Sequence, residues 1–373
     1  MKDHFKHVLY IGPHYSLRGG MASVLKVYAQ SIQPFHFIAG YYYLNPAASM
    51  FYFLWALIKL FWTLLTNRDI KIVHLQSASR GSFFRKSIMI LLSKVFGKKT
   101  VLHIHGGEFK IFFSNAGFLK SYIRFILNGV DEVICLSDEW KDYFDTLTHK
   151  KKAIVLNNPV IFPAESIQKK VSLPVKVLYL NHINRAKGIF DLLDFIKENR
   201  DWLTGSFNFE IAGAGDNQSL EEFININRLN DLIEYKGWIE GQEKEKLIKD
   251  CDVFILTSYN EGLPMSILEA MVYKKSIIST RVGGIPRIVK PGVNGWLISP
   301  GDKAALKTIF EEIKNNNNIL DKYGNCSYEI AGDYSPFAVK EKLGRIYEEV
   351  LRKKIPTDDL RYKENKYAET KTH

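Results

Sequence analysis

The sequence predicts an α/β protein of two domains, each built on a parallel sheet flanked by helices, and three observations carry that expectation. Strand-like and helical segments alternate along the first half, the pattern of a parallel sheet whose strands return through covering helices. Strands run straight into loops of glycine and small polar residues that open a helix, as in Gly12-Pro13-His14-Tyr15-Ser16-Leu17-Arg18-Gly19-Gly20. The third observation is length: 373 residues, 46 % of them hydrophobic, are long for one core and suit two. Ligands of such sheets gather at the carboxyl ends of the strands, so the loops after strands hold the candidate residues.

Composition narrows the class. The three cysteines, Cys135, Cys251 and Cys326, are widely spaced and odd in number, which argues against a disulfide framework and a zinc site. The opening Met-Lys-Asp-His-Phe-Lys-His leads into a strand-like Val-Leu-Tyr-Ile with no signal-peptide core, and a cytoplasmic setting is expected. Net charge is +11, and residues 1–165 hold 20 Lys/Arg against 10 Asp/Glu, so +10 of it lies in the first half. An anionic partner is expected there: nucleic acid, an anionic membrane surface or a lipid diphosphate. No stacking motif accompanies the charge, which disfavours nucleic acid.

In the first half, runs at 5–11, 70–76, 99–105 and 132–136 read as strands, and 20–31, 83–96 and 118–128 as helices. In the loop 12–20, Gly19 and Gly20 would let backbone amides approach a phosphate, with Arg18 adding charge. The stretch 51–65 is apolar nearly all round, interrupted by Lys59, and too short to span a bilayer comfortably. It reads as a buried helix, or as one whose Phe/Trp side enters the membrane interface. The strand ending at His74-Leu75-Gln76 opens into Ser77-Ala78-Ser79-Arg80, where Ser79 and Arg80 offer acceptor-side hydroxyl and charge; Arg85 and Lys86 follow in the next helix. In Val101-Leu102-His103-Ile104-His105-Gly106-Gly107-Glu108, both histidines share a strand face, but only His105 stands at the exit, against glycines that leave room for a ligand. His103 is assigned to packing, and Glu108 is a secondary candidate for a base. Lys150-Lys151-Lys152 reads as a solvated turn.

In the second half, the strand-like run 252–257 leads into Tyr259-Asn260-Glu261-Gly262-Leu263-Pro264-Met265-Ser266-Ile267-Leu268-Glu269. Pro264 suits the first position of a helix. Met265 and Ser266 then offer free N–H groups at a helix start, an anion cradle. Glu261 and Glu269 flank that cradle, separated at ~1.5 Å per helical residue by roughly the length of a nucleotide diphosphate. Gly213-Ala214-Gly215 lacks the third glycine of a dinucleotide fingerprint and reads as a tight turn. Asp250-Cys251-Asp252 matches an acidic metal motif in form but lies at the start of a strand, away from the ligand-bearing end.

The segment from Glu261 to Glu269, with Ser279-Thr280-Arg281-Val282-Gly283-Gly284-Ile285-Pro286 and Gly292-Val293-Asn294-Gly295 after it, resembles the retaining glycosyltransferases of family 4. The likeness is close in the second half and looser in the first, reaching to about residue 350. It implies the GT-B fold, two Rossmann-like domains whose parallel sheets face each other across a cleft. By it, residues 1–165 form an acceptor-side domain and 166–335 a domain for a nucleotide-diphosphate sugar. A helix at 336–352 returns to the first domain and 353–373 is a mobile tail. The resemblance implies catalytic roles for His105 beside the reacting carbon, Glu261 on sugar hydroxyls and Lys187 on the diphosphate. Donor contacts would come from Glu269 on the ribose, from Gly262, Met265 and Ser266, from Gly19 and Gly20 across the cleft, and from the strand at Trp238. The loop Asn181-His182-Ile183-Asn184-Arg185-Ala186-Lys187-Gly188 departs from the family, which carries arginine where His182 stands; His182 or the neighbouring Arg185 would serve instead. Arg18, Ser79 and Arg80 fall on the acceptor side. The donor is expected to be a UDP-sugar, or else a GDP-sugar. The expected acceptor is a saccharide, lipid-linked at the inner face of a bacterial membrane, in exopolysaccharide, capsule or O-antigen assembly. No cofactor and no essential metal are expected. A nucleotide-sugar epimerase of the same fold and a non-catalytic partner subunit are the alternatives.

Overall fold

The computed structural model describes residues 4–17, 19–42, 45–149, 153–164, 171 and 173–352. Arg18, the lysine run 150–152 and the tail 353–373 lie outside the described residues. The first sheet holds β1 (Val8–Pro13), β2 (His36–Tyr41), β3 (Ile72–Ser77), β4 (Lys99–Ile104), β5 (Glu132–Cys135) and β6 (Ala153–Val155). The second holds β7 (Val175–Leu180), β8 (Phe207–Ala212), β9 (Ile233–Tyr235), β10 (Val253–Leu256), β11 (Ser276–Thr280) and β12 (Gly295–Ile298). Every pairing is parallel, in the orders β2-β1-β3-β4-β5-β6 and β12-β11-β10-β7-β8-β9. The α/β two-domain fold expected from the sequence is therefore present. Strand order reverses between β1 and β3 in one sheet and between β7 and β10 in the other, and crevices form at such points.

Both sheets are buried on their two faces, which explains runs such as Val253-Phe254-Ile255-Leu256 in which no residue alternates to solvent. The linker after β6 returns to the second domain's end, where the Val160 N–H donates to the Tyr334 carbonyl at 2.8 Å. The helix Pro336–Arg352 then lies against the first domain. There Lys340 Nζ donates to the Ser31 carbonyl at 2.9 Å and the Tyr347 hydroxyl to that of Tyr10 at 3.1 Å.

Three expectations need correction. The first strand starts at Val8 rather than 5, because His4–His7 form a 3-10 turn. Pro264 is the N-cap of the helix Met265–Val272 and keeps an extended backbone, so the first helical position falls on Met265. The apolar stretch is a helix of 21 residues, Pro46–Thr66, entered through Asn45, whose side chain accepts the Ala48 N–H. At ~1.5 Å per residue that is about the thickness of a bilayer core, not short of it. The helix is nevertheless part of the first domain. Phe53, Ala56, Leu60 and Leu64 are buried in its core. The opposite side presents Phe51, Leu54, Trp55, Ile58, Phe61, Trp62 and Leu65, each at least 40 % exposed. Core packing and an unpartnered apolar face thus coexist on one helix.

Candidate functional site

The loops after β1, β3, β4, β7 and β10 converge between the domains, and Glu261 lies at their centre. Glu261 is 9 % exposed, and β10 leads to it through Thr257 and Ser258, both buried. Its Oε1 accepts from Lys187 Nζ at 2.7 Å, Ser258 Oγ at 2.8 Å and Asn181 Nδ2 at 3.1 Å. Lys187 also reaches the Asn260 carbonyl at 3.3 Å, which leaves one of its three N–H donors for a ligand. Lys187 is positioned by the 3-10 turn Arg185–Lys187, capped by Asn184, whose side chain accepts the Lys187 N–H at 3.0 Å. The turn closes through Gly188 at φ 67°, where a Cβ would lie 1.9 Å from the Thr257 carbonyl oxygen. Only glycine lets the β7 loop and the end of β10 touch here.

The two domains meet at this loop. A Cβ on Gly107 would stand 2.9 Å from the Glu261 carbonyl carbon, and one on Gly262 2.8 Å from the His105 carbonyl oxygen. A Cβ on Gly20 would lie 3.9 Å from Met265 Cγ, so the glycine loop after β1 faces the start of the helix Met265–Val272 across the cleft. Asn158, in the linker, donates to the Leu263 carbonyl at 3.1 Å, and Arg287 pairs with Asp138 at 3.1 Å across the same boundary. A cavity of about 320 Å³ opens beside Glu261, walled by Gly107, Lys110 and Trp140 from one domain and Asn260, Arg281 and Gly283 from the other.

His105 occupies the β4 exit, its Nε2 shielded from solvent and without a partner among the described residues. Burial pushes its imidazole down to about 3, with Asn158 opposing the shift. A neutral ring with an unpaired nitrogen is suited to a ligand hydroxyl rather than to a charge. His103 packs against it, the rings tilted by 32° with centroids 4.0 Å apart. Behind His103 runs a buried chain: His103 Nδ1 lies 3.3 Å from His74 Nε2, and His74 Nδ1 2.6 Å from the Tyr347 hydroxyl. The second-domain sequence thus returns, through its last helix, to support the histidines of the first. Burial lowers His74 to about 3 and His103 in the same direction, with repulsion from neighbouring histidines adding to both.

These shifts set a sign for acid stability. An unfolded histidine takes up a proton near its ordinary value of about 6.5, whereas these three stay neutral in the folded chain until far lower pH. Unfolding therefore binds protons across that window, and stability falls as pH drops below about 6.5. Melting temperature is expected to decline between pH 6.5 and 4, and less steeply in His74→Phe.

Other candidate residues fall as follows. Glu269 Oε1 accepts from Lys244 Nζ at 2.6 Å, a partner on the helix Gly241–Asp250 that the sequence did not suggest. Met265 and Ser266 form the first turn of the helix between the two glutamates. His182 is exposed, 3.2 Å from the Ala214 carbonyl, and its ring lies 6.3 Å from that of Trp238. Arg185 is also exposed, its guanidinium lying over the Phe190 ring at 5.5 Å from the centroid. Ser79 and Arg80 follow β3; Arg80 pairs with Glu108 at 3.6 Å, both largely exposed, which ties up the secondary base candidate. Arg80 has φ 55°, a strained conformation for a side-chain-bearing residue at the mouth of the cleft. Gly19 caps the helix Gly20–Ser31. Asp252, from the acidic motif at the start of β10, accepts the Lys176 N–H at 2.9 Å, at the opposite pole of the sheet. Sequence reasoning does not single out Asn181 and Ser258, although Asn181 directly follows β7 and Ser258 lies two residues beyond β10, where ligand-side residues collect.

Residues 16–161 match the family Glycosyltransferase Family 4, and residues 164–330 match Glycosyl transferases group 1. An uncharacterised glycosyltransferase of Methanocaldococcus jannaschii is 26 % identical over 288 residues, 77 % of this chain and 78 % of that protein. The lipopolysaccharide 1,6-galactosyltransferase of Salmonella typhimurium is 30 % identical over 152 residues, 40 % of each chain. The crystal structure of Anabaena HepE in complex with UDP superposes with a TM-score of 0.71 at 16 % identity, covering 92 % of this chain and 99 % of that one.

Proposed function

We propose, for a chain that belongs to the family 4 glycosyltransferases of GT-B fold, a retaining transfer of a sugar from a nucleotide-diphosphate sugar to a saccharide acceptor. The observation that carries it is the Lys187–Glu261 pair at 2.7 Å, set where Gly107 and His105 of the other domain close on it. In that arrangement Glu261 accepts from sugar hydroxyls while Lys187 turns its free N–H to the departing diphosphate. The N–H groups at the start of Met265–Val272 add partial positive charge, and His105 Nε2 meets a sugar hydroxyl. Glu269 takes the ribose with its second oxygen. Catalysis rests on positioning and on stabilising charge in a cleft that excludes water.

UDP is favoured as the nucleotide, in line with HepE, which binds UDP. With basic groups and a helix start facing the diphosphate, no metal is required, and transfer is expected to persist in EDTA. The acceptor is placed in polysaccharide assembly, as for the lipopolysaccharide galactosyltransferase relative. The exposed side of Pro46–Thr66 supports a peripheral position on the inner face of the membrane, with the basic first domain toward anionic lipid. Proton NMR of the glycoside formed from a UDP-α-sugar tests the reaction. An α-linked product is expected; a β-linked product removes the retaining assignment, and a changed nucleotide sugar with no glycoside formed identifies an epimerase.

A further inference from the structure

We propose that Arg85 and Lys86 form a binding site for the phosphate or diphosphate ester group of the acceptor, on the side of the glycine loop away from the donor. The proposal rests on the glycosyltransferase assignment and names the chemistry of its second substrate. Both residues lie early in the helix Gly81–Val95. Lys86 is only 2 % exposed, yet no described residue offers its ammonium a hydrogen bond or a carboxylate. Its Nζ lies 2.9 Å from where a Cβ on Gly40 would stand, with Ile11 and Met89 side-chain atoms 3.2 Å from the same point. A side chain at position 40 would displace it. Arg85 Nε is buried without a partner among the described residues. Its guanidinium sits 4.3 Å above the Tyr41 ring, and its Nη1 lies 3.3 Å from the Cβ position of Gly81, at the mouth of the β3 loop.

Two neighbouring cations in low dielectric, with no acid beside them among the described residues, are costly, because each loses water and repels the other. The cost shows in their titration: burial and then Arg85 push the Lys86 ammonium down to about 7, and burial lowers Arg85. A diphosphate bridging lipid and sugar, with a charge of about −2 on its non-bridging oxygens, removes both penalties at once. If Lys86 were only core filler, a neutral side chain of equal length would serve as well.

Placement identifies the ligand. Tyr41 ends β2, and its carbonyl accepts the His14 N–H at 2.9 Å from the loop after β1, whose other end, Gly20, faces Met265. The helix Pro46–Thr66 follows β2 and packs on both β2 and Gly81–Val95, where Ile88, Leu91 and Val95 are also exposed. Apolar face, cation pair, glycine loop and donor-side helix follow one another. A lipid-linked acceptor has the same order along its covalent structure: hydrocarbon, phosphate, sugar.

Binding of inorganic pyrophosphate, farnesyl diphosphate and uncharged farnesol, measured by titration calorimetry on the full chain, tests the site. Lys187→Ala serves as background, so that the donor diphosphate site does not contribute. Pyrophosphate or farnesyl diphosphate is expected to bind one site per chain, at least 30-fold more weakly in Arg85→Gln and in Lys86→Met. Tenfold tighter binding of farnesyl diphosphate than of pyrophosphate assigns the phosphate to a lipid, and equal binding to a soluble sugar phosphate. Affinity unchanged in both variants, farnesol binding equal to the diphosphate, or no binding of either phosphate at millimolar concentration would overturn the proposal. Should Lys86→Met fail to fold, the half-buried Arg85→Gln still decides. UDP binding to otherwise wild-type protein reports separately on the donor assignment.

Discussion

Lys187→Ala is expected to lower kcat/KM for sugar transfer by about 10³-fold, the scale of removing one charge-stabilising donor from a preorganised site. Lys187 is the cation that Glu261, itself held by Ser258 and Asn181, fixes at the meeting of the two domains. Its removal takes charge from the leaving diphosphate and leaves a largely buried carboxylate with two neutral donors. A stability loss of about 1–3 kcal/mol should accompany it, since one partner of a shielded pair remains unpaired. Lys187→Arg is expected to restore little. The planar guanidinium cannot keep the Glu261 and Asn260 contacts and direct a third donor as a rotating ammonium does. Steady-state kinetics with a UDP-sugar, read beside the melting temperature, checks both effects. Activity in Lys187→Ala within tenfold of wild type would remove Lys187 from the chemistry.

The triple variant Trp55→Glu, Ile58→Glu and Trp62→Glu is expected to weaken binding to vesicles containing anionic lipid at least 100-fold. These side chains are 51 %, 58 % and 57 % exposed on one side of Pro46–Thr66, so the free protein should keep its stability within about 1 kcal/mol. Fully burying a large apolar side chain contributes about 1.5–3 kcal/mol. Three such residues, even partly inserted, exceed the ~2.8 kcal/mol that a 100-fold change needs. Liposome flotation with and without anionic lipid measures it. Equal flotation of wild type and triple variant, or none of either, removes the membrane assignment.

Much of this was legible in the chain. Alternating apolar runs and loops of small residues revealed parallel sheets, and Glu261, Glu269 and Lys187 follow strands where such sheets carry ligands. β2 escaped notice because His36-Phe37-Ile38-Ala39-Gly40-Tyr41 has no clear period and holds a glycine; β6 is only three residues long. Lys244 beside Glu269 depends on packing between helices 25 residues apart, and His74 beside Tyr347 on a contact across 273 residues. No local pattern encodes either. Arg85 and Lys86 read locally as an acceptor-side charge pair. The burial of Lys86, and the lack of an acid beside the pair among the described residues, emerge only when β1, β2 and the helix Gly81–Val95 are assembled. The length of Pro46–Thr66 was underestimated because its first turn, with Pro46, Ala47 and Ala48, lacks the large apolar residues that marked the rest.

Calorimetric titration of UDP and GDP into wild-type protein and Glu269→Ala tests the central claim most directly. Glu269 lies in the middle of the helix Met265–Val272, held by Lys244, and the proposed function assigns it the ribose hydroxyls. One nucleotide diphosphate should bind at one site per chain, at least tenfold more weakly in Glu269→Ala, since a charge-assisted hydrogen bond contributes about 1.5–3 kcal/mol. Failure of both nucleotides to bind wild type, or equal affinity in Glu269→Ala, would contradict the donor site described for the second domain.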